Sequence, residues 1–587
     1  MPSVSELPPL ALVFPAAASL ACTALGRPWP RNPGLWARWT VRLGLLLALA
    51  DAATVLAQLQ PGGVLELTLW RIGARLPITL QVDSSGAEMA VVALGAALVV
   101  SFAAREARPL ASAALGLAAL GAALVAFAGD LMAVFIGLQL SALGGVSLSF
   151  ARRPRAPSPR VLLAAAVDQA LALLWLGAIV VVLRGAATLR LAAVPPGVIS
   201  PALAGLLILP GVARLGSCCL LSGEAGRGHL GRARLVDVAD WYTVVALPTG
   251  LVLLLRVQEL SGGVWPAPWF GTALDLLAVV LGLLAVGWIL YSRDRRPELR
   301  ALPLAALALV LVGFGQNSAN GTVVGLGAGL FLELAVAFLP RAVHGFGGGA
   351  RSPARARLGR AQLWLGGLPL LLPVSLGFAV GLMGLAVALV GGVETGLAPA
   401  AAYLLALAVL LLLLPRAWRA GQLPASGQAA LLVPALGLLA ASIFPGWVVM
   451  TAAGALAAPG TAAASVFSAP DPLVLTAPGL IWPGGYLALL AVLVAVGVGA
   501  LGLAGNLAGG RLGNGREPPR PAAIPRPILL MRFLALGSWP PTLAPEVRSW
   551  ARLLIALADR EVGERPVWLW LGAAAAAAWA IDELIRL

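Results

Sequence analysis

The sequence predicts an all-α polytopic membrane protein of about sixteen transmembrane helices. Three observations carry that reading. The first is composition: of 587 residues, 60% are hydrophobic and only 11% charged, with a mean hydropathy of +0.93, far outside the range of soluble domains. The second is run length. Apolar stretches of roughly 18 to 25 residues, the length a helix needs to cross a ~30 Å hydrocarbon core, recur from one end of the chain to the other. The third is where arginine falls. All 40 basic residues are arginine, and 33 of them lie in loops that follow odd-numbered helices. By the positive-inside rule this asymmetry puts both termini outside and the odd loops in the cytoplasm, in a bacterial inner membrane.

Taken in order, the spans fall near residues 7–26, 36–58, 86–103, 109–127, 130–150, 161–184, 198–222, 236–256, 271–291, 300–317, 320–340, 368–391, 398–415, 428–450, 484–506 and 567–585. The first, "LALVFPAAASLACTAL", has the length of a signal peptide, but no basic segment precedes it and fifteen spans follow, so it reads as helix one. Arginine-bearing segments punctuate the odd boundaries: Arg27 to Arg42, Arg152 to Arg160, Arg293 to Arg300 and Arg341 to Arg360. Residues 1–79 hold the first helices, 80–415 a core, and 416–506 further helices with an outside loop of small residues at 451–483. Residues 507–566 form a cytoplasmic region: "REPPRPAAIPRP" is a proline-rich linker, followed by "EVRSWARLLIALADREVGER". There Trp550, Leu553, Leu554 and Leu557 recur three and four apart, the pattern of an amphipathic helix on a membrane or a partner. Residues 567–587 are the final span.

The same composition excludes several functions. A net charge of +15 is mostly a topology signal, because no folded soluble surface is available to gather it against nucleic acid. Cys22, Cys218 and Cys219 have no metal-ligand spacing, and His229 and His344 are far apart, so no cofactor or metal is expected on this chain. The lipid bilayer is the certain partner. What remains are polar groups inside the spans, which are costly there and therefore functional candidates: Asp51, Asp83, Asp130, Asp168, Arg214, Asp237, Asp240, Asp275 and Glu333. Asp83, Asp130 and Asp237 fall near span ends, where a carboxylate reaches water or caps a helix at little cost.

The stretch "AGDLMAVFIGLQLSAL", residues 128–143, resembles a segment of the antiporter-like proton-channel subunits shared by respiratory complex I, membrane-bound hydrogenases and Mrp-type antiporters. In that family a membrane glutamate follows an aspartate by nine residues, and Asp130 to Gln139 is the same step. "LPITLQVDSSGAEM" is similar to the family's lead-in to its third helix, with Asp83 at the aspartate, and "GLVLLLR" resembles another family segment. Sixteen helices and a long amphipathic segment before a last span resemble the largest such subunit. The resemblance covers residues 80–415 by order and spacing. It implies an antiporter-like fold with inverted repeats and a lateral-type C-terminal helix. It also implies partners: other membrane-arm subunits and a peripheral redox module.

The departures fall on the ionisable relay that the resemblance implies. Gln139 stands at the family's glutamate, Arg214 is the nearest basic residue to its seventh-helix lysine, and Tyr242 lies where an eighth-helix histidine belongs. Glu298 and Arg300, in "RRPELRALPL", occupy an acidic and a basic place, and only Glu394 lies near the twelfth-helix lysine. An amide, a tyrosine and a fixed guanidinium change charge poorly near neutral pH. The expected function is therefore a non-redox membrane subunit of an NADH:quinone oxidoreductase-like or hydrogenase-like assembly, structural or impaired in proton translocation. Two alternatives stay open. The chain moves protons or cations by a rerouted path through Asp168, Asp240, Asp275 and Glu333, or it is an unrelated multi-pass transporter.

Overall fold

A computed structural model of the protein describes residues 7–25, 33–59, 63–72, 76–103, 108–152, 158–222, 236–291, 298–345, 375–390, 397–420, 432–449 and 468–482, without 447, 472, 478 and 479. Helices dominate it, in the order α1 (Leu7–Leu25), α2 (Pro33–Gln58), α3 (Ser84–Ala103), α4 (Pro109–Ala126), α5 (Leu131–Arg152), α6 (Pro159–Ala186) and α7 (Pro201–Gly216). They continue with α8 (Val236–Leu260). Then come α9 (Pro268–Tyr291), α10 (Glu298–Gly315), α11 (Ala319–Gly345), α12 (Leu376–Val390), α13 (Ala398–Ala420) and α14 (Leu432–Ile443). Five of them begin on a proline, whose missing N–H is not needed in a first turn and whose fixed φ suits it. Among the described residues nine helices are long and apolar enough to cross a membrane, and five more contain apolar stretches of 10–17 residues, such as Leu10–Ala24 and Ala398–Leu413. The fifteenth and sixteenth expected spans and the amphipathic segment of 507–566 lie outside the described residues.

The first fourteen expected spans each meet a helix in sequence order. Two small sheets were not expected. The segment "LELTLWRI" alternates in period two, and it forms β1 (Leu65–Ile72), antiparallel to β2 (Leu76–Val82). Leu65 and Leu67 are half-buried while Glu66 and Thr68 are exposed, as the pleat requires. Within the outside loop read at 451–483, β3 (Ser468–Asp471), β4 (Val474–Ala477) and β5 (Leu480–Trp482) form an antiparallel sheet.

The hairpin locks onto the helices. Gln81 N–H donates to the Phe127 carbonyl at 2.8 Å and Gly129 N–H to Thr79 at 2.9 Å, so the link between α4 and α5 runs beside β2 like a third strand. On its other side Leu191 N–H reaches Gly129 at 2.9 Å and Leu131 N–H reaches Leu189 at 3.0 Å. Helices α4 and α5 then pack backbone to backbone. A Cβ at Gly144 would lie 2.8 Å from the Ala118 Cβ, and one at Gly137 would lie 2.9 Å from the Gly121 carbonyl oxygen. Small residues at such spacing let membrane helices approach where no hydrophobic effect draws them together.

Helix α8 is the inner axis. Its apolar window is wholly buried, and α3, α4, α5, α7 and α11 pack around it. Polar side chains within that window therefore face other helices and not lipid, while Glu259 near the end of α8 is exposed. Five residues near its start, Tyr242–Ala246, wind as a π-helix, the local widening that often accompanies functional positions.

Candidate functional site

Helices α5, α7 and α11, with Asp83 just before α3, bring polar side chains to α8, and the best defined cluster is centred on Arg214 of α7. Helix α7 runs through Pro210 to Gly216 and then tightens into a 3₁₀ segment, Ser217–Ser222, next to Arg214. A guanidinium has five N–H donors. Here the Nε donates to Asp168 Oδ1 at 2.6 Å, and Nη2 to Asp168 Oδ2 at 2.6 Å and to the Leu138 carbonyl at 3.1 Å. Nη1 donates to Ser141 Oγ at 3.2 Å and to Thr249 Oγ1 at 2.5 Å. Both charged partners are buried. The pair is a bidentate fork joined by three neutral acceptors, so every donor has a place. A cavity of about 170 Å³ lies beside it between α6 and α7, bordered by Asp168, Arg214, Ser217, Trp241 and apolar side chains.

Gln139 lies on α5, next to Leu138, whose carbonyl Arg214 binds. It is half-buried, and its amide makes no hydrogen bond among the described residues. Tyr242, fully buried at the start of the π-segment, donates to the Leu215 carbonyl at 3.1 Å and so ties α8 to α7 one residue beyond Arg214.

A second node lies nearer the start of α8, at Asp240. Asp240 accepts from Arg152 at the end of α5 through one carboxylate oxygen and from Arg341 of α11 through the other. Asp237 stands 3.9 Å from Arg152, and Arg341 also donates to the Ala337 carbonyl at 2.6 Å. Three helices are thereby pinned on one carboxylate. Toward the other end of α8, Arg256 donates to Asp83 at 2.5 and 3.1 Å, to Glu259 at 2.8 Å and to the Ala126 carbonyl at 3.2 Å. Asp83 also accepts from Gly86 N–H at 2.6 Å and Ser85 Oγ at 2.9 Å, which starts α3. Burial pushes the Asp83 carboxyl upward, and the Arg256 charge with these hydrogen bonds more than reverses it, holding the group below the ordinary carboxylate range.

Asp130 is completely buried and accepts two backbone bonds, from Thr79 N–H at 2.5 Å and Ala133 N–H at 2.7 Å, and one from the Thr79 hydroxyl at 3.1 Å. It caps α5 and fastens it to the hairpin. Two other acids stand apart. Asp275 of α9 and Glu333 of α11 are buried; Asp275 Oδ1 and both Glu333 oxygens have no hydrogen-bond donor among the described residues. Arg300 stacks over Trp288 at 4.5 Å. The side chain of Glu298, which opens α10, and the whole of Glu394 lie outside the described residues.

The structure thus gathers Asp168 with Arg214, places Tyr242 beside them, and leaves Asp275, Glu333 and Arg300 elsewhere. Sequence reasoning passed over Arg152, Arg256 and Arg341, because each sits at a span end and counted only as a topology signal. Arg256 and Glu259 are three apart on one helix, a spacing that marks a pair. Ser141 and Thr249 carried no signal beyond small polarity in an apolar run.

No protein-family model matches the sequence, and no curated protein sequence matches it. Solved structures do. A chain of the membrane-bound sulfane sulfur reductase, an archaeal respiratory membrane complex, aligns with a TM-score of 0.64 and 14% identity over 99% of this chain and 100% of that one. A chain of the Mrp complex from Dietzia sp. DQ12-45-1b aligns with a TM-score of 0.60 and 15% identity, over 100% of this chain and 63% of that one. A chain of respiratory complex I from Thermus thermophilus aligns with a TM-score of 0.52 and 21% identity over 76% of this chain and 100% of that one. At such identities the likeness is one of fold, and the chain is an all-α polytopic membrane protein with the antiporter-like fold of membrane subunits from these complexes.

Proposed function

We propose that the chain is a membrane-arm subunit of a complex-I-like or membrane-hydrogenase-like redox assembly, in which the antiporter-type proton path through α5, α7 and α8 is interrupted. The observation that supports this most directly is the saturation of Arg214: all five of its N–H groups are engaged and its charge is matched by Asp168. A relay needs a group that gives up its charge when a neighbour changes, and a fully bonded guanidinium does not. Gln139 and Tyr242 beside it add no group that ionises near neutral pH. On this reading the chain works as a spacer, held in a bacterial inner membrane with its N-terminus outside. Its core is residues 80–415, and its 507–566 segment clamps neighbouring membrane subunits. Redox cofactors belong to a peripheral partner module.

A second reading has an observation of its own. Asp275 and Glu333 are buried acids without donors among the described residues, unlike Asp168 and Asp240, which are matched by arginines. If ions still cross, they cross there. Reconstitution of the purified chain with an entrapped pH dye separates the two. The interrupted-path reading expects proton flux no faster than in protein-free vesicles, and no change in Glu333→Gln or Asp168→Asn. A flux abolished by Glu333→Gln would establish the rerouted path instead. Gentle purification followed by identification of co-migrating chains tests the assembly.

A further inference from the structure

We propose that Cys218 and Cys219 form a modification site: a vicinal dithiol that peroxide closes into a disulfide and that a low-molecular-weight thiol reopens. The proposal does not depend on what the chain assembles with or on whether protons cross at Arg214.

Both cysteines lie in the 3₁₀ segment Ser217–Ser222 that ends the α7 span, and this segment packs on α10 and on the π-segment of α8. The two thiols are within hydrogen-bonding reach of each other, and Cys218 is also within reach of the Tyr242 hydroxyl. Their exposures differ. Cys218 is 1% exposed, whereas Cys219 is half-buried. The sequence that follows, residues 223–235, carries Arg227, Arg232 and Arg234, the mark of a span end at the membrane surface, so a water-soluble oxidant can approach Cys219. Cys22, the third thiol, is buried on α1 and donates to the Ala37 carbonyl at 3.2 Å.

A half-exposed thiol beside a second thiol has a defined course of oxidation. The Cys219 sulfur attacks one oxygen of hydrogen peroxide, the O–O bond breaks, and water leaves while a sulfenic acid forms. The Cys218 sulfur then attacks the Cys219 sulfur, the S–O bond breaks, and a second water carries off the remaining thiol hydrogen. Two thiols and one peroxide become one disulfide and two waters, with the sulfurs oxidised and the peroxide oxygens reduced. Neighbouring residues place their Cα atoms about 3.8 Å apart, below the ~4.4–6.8 Å that disulfides usually span. Such a bond is strained, and a strained, accessible disulfide is readily reduced by thiol exchange. Closing it also takes the backbone at Cys218 out of its 3₁₀ winding. Three bonds hang on that winding: Ser217 Oγ to the Arg214 carbonyl at 2.6 Å, Arg160 to the Leu220 carbonyl at 2.8 Å and, just before it, Tyr242 to the Leu215 carbonyl at 3.1 Å. Oxidation thus loosens the joint of α6, α7 and α8 beside the Arg214 cluster.

The test treats the full chain in detergent micelles with hydrogen peroxide, blocks the free thiols of the denatured product with N-ethylmaleimide and weighs its peptides by mass spectrometry. The peptide bearing both cysteines is expected to be unblocked and lighter by two hydrogens, with Cys22 blocked, and reduced glutathione added before blocking should restore both thiols. In Cys218→Ala the remaining Cys219 should instead be trapped as a sulfenic acid by dimedone. In Cys219→Ala the buried Cys218 should react about tenfold more slowly than Cys219 does. Amide exchange across Ser217–Ser222 should quicken about tenfold in the oxidised chain. The mass measurement needs only the parent, so it stands if a variant fails to fold. Blocking of both cysteines after peroxide, a disulfide to Cys22 or between two chains, oxidation of the pair to sulfinic acid, a bond that glutathione leaves intact, or exchange unchanged by oxidation would each overturn the proposal.

Discussion

At Arg214 the count of donors decides what a substitution does. Lysine supplies three donors from a point and cannot span Asp168 with a fork, so Arg214→Lys leaves acceptors unmatched and is expected to lower stability by about 2 kcal/mol. Arg214→Met goes further. It strands a buried Asp168 carboxylate at an expected cost of about 3–5 kcal/mol, whereas Arg214→Met combined with Asp168→Leu removes both charges and should return close to the parent. A double-mutant cycle of unfolding in micelles checks both numbers, and additivity of the two single changes would refute the pairing. Asp83 provides the pH counterpart. Its folded-state carboxyl lies below the ordinary carboxylate range, so its contribution to stability is full above about pH 4 and is lost as the pH falls through the lower, folded value. The acid limb of the unfolding midpoint against pH should therefore be shallower in Asp83→Asn than in the parent.

Among the elements, the join between the hairpin and α5 rests on one carboxylate. Asp130→Ala removes a helix cap and also orphans the Thr79 N–H, so it should cost about 2 kcal/mol, more than the loss of an exposed cap, and loosen hydrogen-exchange protection in Leu65–Val82. Equal protection in both proteins would show that the hairpin does not depend on it. The aspartate was legible as a helix starter because it precedes a long apolar run. Its second task was not, since nothing in "AGDLMAVF" says that a strand fifty residues earlier will supply the other donor. The helices themselves were legible because lipid forces each crossing segment to satisfy its own backbone, which writes a long apolar run into the sequence. The hairpin carried only a short alternation, hidden beside much stronger helical signals. Partner choice among buried charges was the least legible feature. Asp168 and Arg214 are 46 residues apart, and only packing of α6 on α7 brings them together.

For the whole molecule, hydropathy fixes which segments cross, and charge fixes which way. If the arginine asymmetry sets the orientation, the start of α5, bonded to the β1–β2 hairpin, faces outside and its end, Arg152, faces the cytoplasm; in the sequence residues 73–75 link β1 to β2, and residues 153–157, with Arg153 and Arg155, link α5 to α6. The structure constrains this further, because the two links join the chain at opposite ends of α5: its first residue follows Asp130, which is bonded to the hairpin, and its last is Arg152. Whatever the orientation, they must therefore be on different sides of the membrane. Single cysteines placed in the two loops, in a background with Cys22, Cys218 and Cys219 replaced, test both statements in intact cells with a membrane-impermeant maleimide. Labelling of the 73–75 cysteine alone is expected. Labelling of the 153–157 cysteine alone would invert the orientation yet keep the fold, and labelling of both would mean that α5 does not cross. The same result bears on function. On the proposed reading, a partner module would dock on the arginine-rich side, where the Arg152–Asp240–Arg341 node lies, and an inverted chain would place that node away from it.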